Sequence, residues 1–432
     1  MGKIMQMDMI FRFQERKKAY VEQGTGKMTK KANFFLAVYT VLAMVFSRIV
    51  MYISYLNGKE GEETFLRSIR SFLDALNIWD AVWYRDMIET GYYIKPILSG
   101  INYSSTAFFP AMPYFYKIIH TVLGSDINTI YYWGSIINSF IFAMALFVSG
   151  KYIILTRKSQ RQALVFITIM TFGVYSFYYS IFYTEAIFFF LLVLNFYFMY
   201  TRRYILAGVA AFFCAATRNL GVFLAFPMLI QFLMQYHESR VFREIEKQKE
   251  NEKDTVGGRV AIWLQGACRH LFQEERFMLG LCLAPGGFFA YMIYLKLRFG
   301  DGFAFLHVQK AWFRGNTGIW DTIKGSISLE GSNLYYFCIL FFMFLSIYML
   351  LYKKKYNEFI FAAIYVFIPL SFGGMYSLAR FLSAGLVFFL GFTDLLEKID
   401  NKVITVFTLI ALAMFEYHFI QLWCFGGGAI LN

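Results

Sequence analysis

Charged side chains are scarce in this chain: only 16% of its 432 residues are Asp, Glu, Lys or Arg. A soluble domain carries about a quarter, which excludes the two or three water-exposed domains that the length would otherwise allow. Cysteine and histidine are scarce as well. There are five of each, scattered without paired or metal-ligand spacing, so neither a disulfide framework nor a zinc centre is indicated. No Gly-rich stretch of the kind that cradles nucleotide phosphates is present, and no Rossmann pattern. A short cleavable leader is not expected either. The first residues are polar and basic, and the apolar run from Asn33 is long enough to remain in a membrane. Hydrocarbon is what the chain has in excess, with 58% hydrophobic residues and 52 phenylalanines. Together these features imply an all-α polytopic membrane protein with one integral domain. A net charge of +13 would suggest nucleic acid in a soluble protein. Here no nucleic-acid partner is expected, because the basic residues sit where they orient helices.

Residues 1–32 form a basic tail, followed by a membrane domain over 33–432. Spans are expected at 33–56, 130–153, 162–181, 183–200, 204–220, 222–236, 277–299, 334–352, 357–375, 380–397 and 403–424, about eleven in all. The apolar stretch 204–236 would make one helix of about 50 Å, too long for a single crossing of a ~30 Å core, so a break is placed near Arg218–Gly221. The stretch 107–124 is apolar but interrupted by Pro110, Pro113, Lys117 and His120. It reads as a re-entrant or surface-lying helix inside a large first external loop, 57–129. A second external loop is expected at 300–333 and a charged cytoplasmic loop, a solvated helical hairpin, at 237–276. With this arrangement 27 of the 41 Lys and Arg lie on the cytoplasmic side, as the positive-inside tendency requires.

That orientation was set by basic residues alone, yet it brings the unusual ionisable groups to the other face. Asp80 and Asp86 lie in the first external loop. Glu185, in Tyr183-Thr184-Glu185, sits at a tight turn. Arg218 and Asn219 sit at the helix break in AATRNLG, His307, Gln309, Trp312 and Arg314 in the second external loop, and Arg380 in MYSLARF. Ionisable groups at membrane depth are costly and usually mark a functional cavity. If 78–90 is helical, Asp80 and Tyr84 share a face with Met87, turned toward the apolar side, where a carboxylate makes a useful base. Arg85 and Glu89 fall on the opposite face, spaced to pair in water. An acidic N-cap, from Asn77 or Asp80, explains the same residues equally well. Glu185 could simply complement a helix dipole, and the polar residues of 301–314 could serve solubility. Arg48, inside the first span, reads as a structural residue reaching for an acid. Trp79, Trp83, Trp312 and Tyr92 are candidates for stacking on a sugar.

The stretch WDAVWYRDMIETGYY at 79–93, followed by AFFPAMP at 107–113, resembles the first-loop signature of GPI mannosyltransferase II (PIG-V-like) proteins and their bacterial relatives. The matching positions are Trp79, Asp80, Tyr84, Gly91, Tyr92, Phe108, Phe109, Pro110 and Pro113. FYTEAIFF at 182–189 is similar to the family's Tyr-Thr/Ser-Glu turn, and AATRNLG at 215–221 to its Ala-Thr-Arg-Ser-Asn-Gly motif, with Asn-Leu where Ser-Asn is usual. DGFAFLHVQKAWFR resembles a later loop, with Phe305, Gln309, Trp312 and Arg314 in register. MYSLARF resembles a late Ser-Leu-x-Arg-Tyr element, with Phe381 in place of Tyr. The matches run in order from 79 to about 381, and the 237–276 loop has no counterpart.

The resemblance implies a GT-C type glycosyltransferase using a polyprenyl-phosphate-linked sugar, mannose by analogy, on the non-cytoplasmic face. A compatible mechanism makes Asp80 the general base for an acceptor hydroxyl, with inversion. Arg218, Arg314 and Arg380 would meet the leaving phosphate. Trp79, Tyr84, Asp86, Tyr183, Asn219, His307, Gln309 and Trp312 would line the substrate site. Glu185 would orient the acceptor or share a divalent cation, Mg or Mn, with Asp80. The acceptor would be a glycan, glycolipid or protein hydroxyl. Short loops and no retention tail favour a bacterial plasma membrane over an endoplasmic reticulum. The competing expectation is a transporter or flippase of lipid-linked saccharides, which predicts mid-membrane polar residues and an internal repeat.

Overall fold

The computed structural model describes residues 29–61, 63–96, 102–247, 256–312, 318–327, 332–371 and 378–426. The described residues open with a long helix, α1 (Lys30–Gly58), followed by three shorter ones, α2 (Phe65–Leu76), α3 (Asp80–Thr90) and α4 (Ala111–Leu123). Then come α5 (Ile130–Arg157), α6 (Gln160–Phe172), α7 (Glu185–Tyr200), α8 (Tyr204–Thr217), α9 (Ala225–Lys247) and α10 (Val256–Gln273). Next are α11 (Glu275–Leu283), α12 (Gly286–Phe299), α13 (Ala304–His307), α14 (Ile319–Ile327) and α15 (Ser332–Tyr352). The last four are α16 (Tyr356–Ser371), α17 (Leu378–Ala384), α18 (Leu386–Ile399) and α19 (Lys402–Phe425). One departure from an all-helical chain is a small antiparallel hairpin, β1 (Ile94–Pro96) with β2 (Asn102–Ser104), pairing Ile94 with Ser104.

Among the described residues, six segments are long and apolar enough to cross a membrane: 30–58, 127–157, 219–239, 275–299, 334–352 and 402–425. Three more, 185–200, 204–217 and 356–371, are apolar but short. The remaining two expected spans are interrupted. The 162–181 stretch is α6 followed by a 3-10 turn at Ser176–Tyr179, and the 380–397 stretch divides into α17 and α18 at Gly385. The eleven expected crossings are therefore not eleven full-length helices. A helix surrounded by other helices need not match the bilayer by itself, and α7, with Phe188, Phe189 and Leu192 fully buried, is of that kind. The break expected near Arg218–Gly221 is present: α8 ends at Thr217, Arg218 is extended (φ −149°, ψ 144°), and a 3-10 turn spans Asn219–Leu224. A Cβ on Gly221 would lie 2.4 Å from the backbone of Cys214, so only glycine lets the chain fold back this closely. The helix at 111–123 has thirteen residues, about 20 Å, which is too short to span. Its Ile118, Val122 and Leu123 remain exposed.

The loops assigned to the cytoplasmic side meet at one end of the bundle. Arg161 pairs with Asp400 at 2.9 Å, Lys355 donates to the Thr156 carbonyl at 2.9 Å, and the Tyr200 hydroxyl donates to the Leu155 carbonyl at 3.1 Å. Sequence reasoning missed what lies beneath them. Arg157, counted only as a loop cation, is buried and forks onto Glu358 (2.6 and 3.1 Å) and Asp394 (both contacts 2.9 Å). Tyr152 and Gln162 complete the shell by donating to Glu358 at 2.6 Å and Asp394 at 3.1 Å. The network joins α5, α6, α16 and α18. Removing one member of a buried charge set strands the others, at a cost of about 3–5 kcal/mol. Arg157→Leu is therefore expected to lower the thermal midpoint of the detergent-solubilised protein sharply, whereas Arg161→Leu, at the exposed pair, leaves it within a degree or two. Equal midpoints for the two variants would refute the clamp.

Candidate active site

Nineteen residues before Arg157 on the same helix is Asn138, about 28 Å away at the helical rise. At this opposite end the unusual residues converge. Asn138 is fully buried in an apolar helix. Its Nδ2 donates to the carbonyls of Ile181 (2.6 Å) and Tyr183 (3.3 Å), and its Oδ1 accepts from Tyr116 at 2.7 Å. Asn77, at the end of α2, holds the same segment from the other side, its Oδ1 accepting from the Phe182 amide at 2.6 Å. These asparagines fix the turn 181–184, which carries Tyr183 and launches Glu185 into α7. Asn77 was singled out from the sequence only as a helix cap and Asn138 not at all, although a polar residue in an apolar run such as Asn138 is the signal that would have found it.

Asp80 is the first residue of α3 and does not cap it. The cap position belongs to Trp79, whose backbone sits at φ 56°, ψ −114° without a side-chain cap bond, a conformation that non-glycine residues rarely hold and that costs of order 1–3 kcal/mol. The turn is kept in place by Tyr183: its hydroxyl donates to the Ile78 carbonyl at 2.9 Å and accepts from the Asp80 amide at 3.2 Å. Asn77 is committed to Leu73, Ser135 and Phe182. Both capping explanations therefore lapse. Arg380 Nη1 meets Asp80 Oδ2 at 2.5 Å. The far end of α3 closes on Gly91 at φ 78°, a region that favours glycine, so the Gly-Tyr of the first-loop signature marks a helix stop.

Arg380 is shared. Its Nε donates to Glu185 Oε1 at 3.1 Å, and its guanidinium lies 4.4 Å from the centre of the Tyr183 ring. Arg218 approaches the same Oε1 at 3.4 Å through Nη2, packed between Phe188 and Phe381. Two carboxylates and two guanidiniums thus form one alternating cluster, Asp80–Arg380–Glu185–Arg218, assembled from α3, α7, α17 and the α8 break. Glu185 is wholly buried, whereas Asp80 keeps 18% of its side chain accessible and Arg218 12%. A dipole partner alone would not need two cations. Glu185 Oε2 and Arg218 Nη1 are buried without a hydrogen-bond partner among the described residues.

The other sequence candidates are placed around this cluster or away from it. Tyr84 is buried edge-on against Phe108, ring centres 5.2 Å apart, and Tyr183 lies under Arg380; both are packed inside rather than presented at a surface. Trp79 is 47% exposed beside Asp80. Asp86 accepts from Tyr93 at 3.2 Å and lies 3.5 Å from Arg85, so Arg85 meets its chain neighbour where the helical spacing suggested Glu89. The Asn219 side chain accepts from the Leu220 amide at 2.9 Å, a contact inside its own turn. His307 is exposed and bonds Asp301 at 2.7 Å, and this contact holds the Asp301 carboxyl below its usual range. Gln309 donates to the Phe305 carbonyl at 3.1 Å. Arg314 and the Trp312 side chain lie outside the described residues. The second loop nevertheless packs on the first, through Phe305 against Phe109 (5.4 Å) and Tyr291, whose hydroxyl donates to the carbonyls of Thr106 (2.9 Å) and Phe108 (3.0 Å). The Phe-Phe-Pro element is thus the core of an outer layer that supports α3.

No family model matches the chain, and no curated protein matches it. Among solved structures, the crystal structure of an Archaeoglobus fulgidus oligosaccharyltransferase, tethered to an acceptor peptide containing the NVT sequon, is similar at 12% identity with a TM-score of 0.40. The similarity covers 90% of this chain and 55% of that one, so the chain spans about half the length of that enzyme. A likeness this loose assigns no family.

Proposed function

We propose that the chain is a membrane glycosyltransferase of the GT-C kind. It would move a hexose, mannose by motif resemblance, from a polyprenyl-phosphate donor to an acceptor hydroxyl on the non-cytoplasmic face. The observation that carries this reading is the alternating cluster, in which the partly accessible Asp80 carboxylate is held by Arg380, while Arg218, the second guanidinium on Glu185, has a nitrogen without a partner among the described residues. Asp80 Oδ2 is engaged by Arg380, which leaves Oδ1 to take the proton of the acceptor hydroxyl. The acceptor oxygen bonds to the anomeric carbon as the bond from that carbon to the phosphate oxygen breaks. The electron pair leaves with the polyprenyl phosphate, and the anomeric configuration inverts. The new charge on the phosphate falls to Arg218, whose Nη1 has no partner among the described residues, in a site where a fixed cation acts strongly. Once Asp80 is neutral, Glu185 still compensates Arg380, so protonation strands no buried charge.

This division of labour differs from a simple grouping of three phosphate-binding arginines. Arg380 is a positioning residue for both acids, and Arg218 is the phosphate ligand. A divalent cation shared by Asp80 and Glu185 would have to displace the Arg380 guanidinium that joins them. The arrangement does not fit such an ion, and no step here runs through one. The test uses the full-length protein in liposomes with radiolabelled polyprenyl-phosphate mannose and a panel of glycolipid, glycan and peptide acceptors. Sugar should appear on one acceptor class at a rate unchanged by a divalent chelator. Absence of transfer to every class sinks the reading, and loss of transfer on chelation sinks the assignment of Arg380.

A further inference from the structure

The first span carries a guanidinium that neither the ionic cluster nor the clamp around Arg157 uses. Arg48 lies ten residues before the end of α1 at Gly58, and the wholly buried Glu416 lies nine before the end of α19 at Phe425. Both helices are long and apolar enough to cross a membrane. The two groups are therefore about 15 Å in from those ends at the helical rise, a depth where ionisable side chains are costly. Arg48 reaches the acid through Ser47: its Nη1 donates to Ser47 Oγ at 2.9 Å, and that oxygen lies 3.4 Å from Glu416 Oε1. Its main hold is on the turn after α6. Nη1 donates to Ser176 Oγ at 2.7 Å and Nη2 to the Ser176 carbonyl at 3.3 Å, while Ser47 Oγ donates to the Thr171 carbonyl. The set is poorly built for stability. Arg48 Nε and Glu416 Oε2 have no hydrogen-bond partner among the described residues, whereas every nitrogen of the Arg157 guanidinium is engaged. Apolar residues of similar volume would serve stability as well as such a pair or better.

What Arg48 holds is a strap, residues 173–184, that touches both partners of the Asp80–Arg380 contact. The 3-10 turn Ser176–Tyr179 presents the Tyr179 hydroxyl, which donates to the Ser383 carbonyl on α17, and Ser383 Oγ in turn donates to the Arg380 carbonyl at 2.8 Å. Further along the strap, Tyr183 grips the Ile78 carbonyl and the Asp80 amide. Arg48 also lies 5.7 Å from the centre of the Phe142 ring, on which Tyr179 stacks at 3.8 Å. Packing alone does not fix the strap. Gly173, Val174, Tyr175, Ser176 and Tyr179 line a cavity of about 350 Å³ that Ser383 also lines, and side chains facing a void lack partner atoms on that side. We infer that Arg48, with Glu416 as its counter-charge, is a positioning residue for sugar transfer. It sets the place of the strap and thereby seats Arg380 against Asp80, an inference that rests on the glycosyltransferase reading.

The test compares full-length wild type with the double variant Arg48→Met/Glu416→Gln, which strands no charge, and with Tyr179→Phe, which removes one hydroxyl and keeps the ring stack. Each is expected to lower kcat by about 10–100-fold, the scale of a small misplacement of reacting groups, with KM for the donor within about a factor of two of wild type. In an Asp80→Asn background the same substitutions should cost less than about a further factor of two, because the base whose seating they disturb is already gone. Losses that multiply, or a wild-type kcat in either folded variant, overturn the inference. Amide hydrogen exchange of the solubilised protein gives a readout that needs no transfer. Exchange across 378–384 in α17 should be roughly tenfold faster in both variants, with 150–157 near Arg157 unchanged, as for a local rather than global loosening. Wild-type protection of α17 in the variants overturns the inference too, and Tyr179→Phe decides it if the double variant does not fold. Wild-type protein that transfers no sugar sinks the transferase reading, while a loosened α17 still supports the seating of Arg380 by Arg48.

Discussion

Asp80→Asn is expected to lower sugar transfer by about 10²–10⁴-fold, the range for loss of a positioned general base, in a protein that still folds and still binds the lipid phosphate. Folding should survive because the amide keeps the shape of the carboxylate and Asp80 is accessible at one edge of the cluster. Arg380 then retains Glu185 at 3.1 Å as its counter-charge. Binding should survive because the phosphate is assigned to Arg218. The predicted signature is a fall in kcat with KM for the donor nearly unchanged. Transfer at an undiminished rate by a folded Asp80→Asn protein would eliminate Asp80 as the base. It would favour instead a chain that only moves lipid-linked saccharides or supports a partner transferase. A fall confined to KM would mean that Asp80 holds a substrate hydroxyl without accepting its proton.

The helical character of the chain and the two ends of its bundle were legible because lipid solvation leaves a strong compositional trace. Apolar runs and basic loops both follow from the cost of charge in hydrocarbon. The break at Arg218 was legible from length alone, since 33 apolar residues overshoot one crossing. The cluster was legible one residue at a time, because Glu185, Arg218 and Arg380 are anomalous in apolar surroundings and Asp80 stands in the Trp-Asp stretch of the first external loop. Who pairs with whom was not. Asp80 and Arg380 are 300 positions apart, and only packing brings α17 against α3. The same separation hid the clamp at the other end, where Arg157 reaches 201 positions to Glu358 and 237 to Asp394. Arg157 looked like an orientation signal because it stands in a basic loop sequence, although it is buried. The short hairpin at 94–104 left no alternation long enough to read, with three residues in each strand.

Arg218→Ala is expected to cost about 10²–10³-fold in kcat, the scale seen when one preorganised donor to developing negative charge is removed. The reasoning starts from what Arg218 does in the resting protein. It lies 3.4 Å from Glu185, longer than the 3.1 Å contact from Arg380 to the same oxygen, and its Nη1 has no partner among the described residues. Glu185 therefore keeps its nearer cation when Arg218 is removed, and the stability loss should be smaller than for Arg157→Leu. The reaction, by contrast, loses the cation placed where phosphate charge grows. Arg218→Lys separates charge from geometry. An ammonium at this position restores the electrostatic part but not the two-pronged fork, and lies on a shorter reach between the rings of Phe188 and Phe381. Partial rescue by lysine, on the order of tenfold above alanine, is the expected result, with the largest deficit for donors whose phosphate is the poorest leaving group. If Arg218→Ala instead melts like Arg157→Leu while the residual folded fraction transfers sugar at the wild-type rate, Arg218 is a structural counter-ion for Glu185, and the phosphate must be met by another cation.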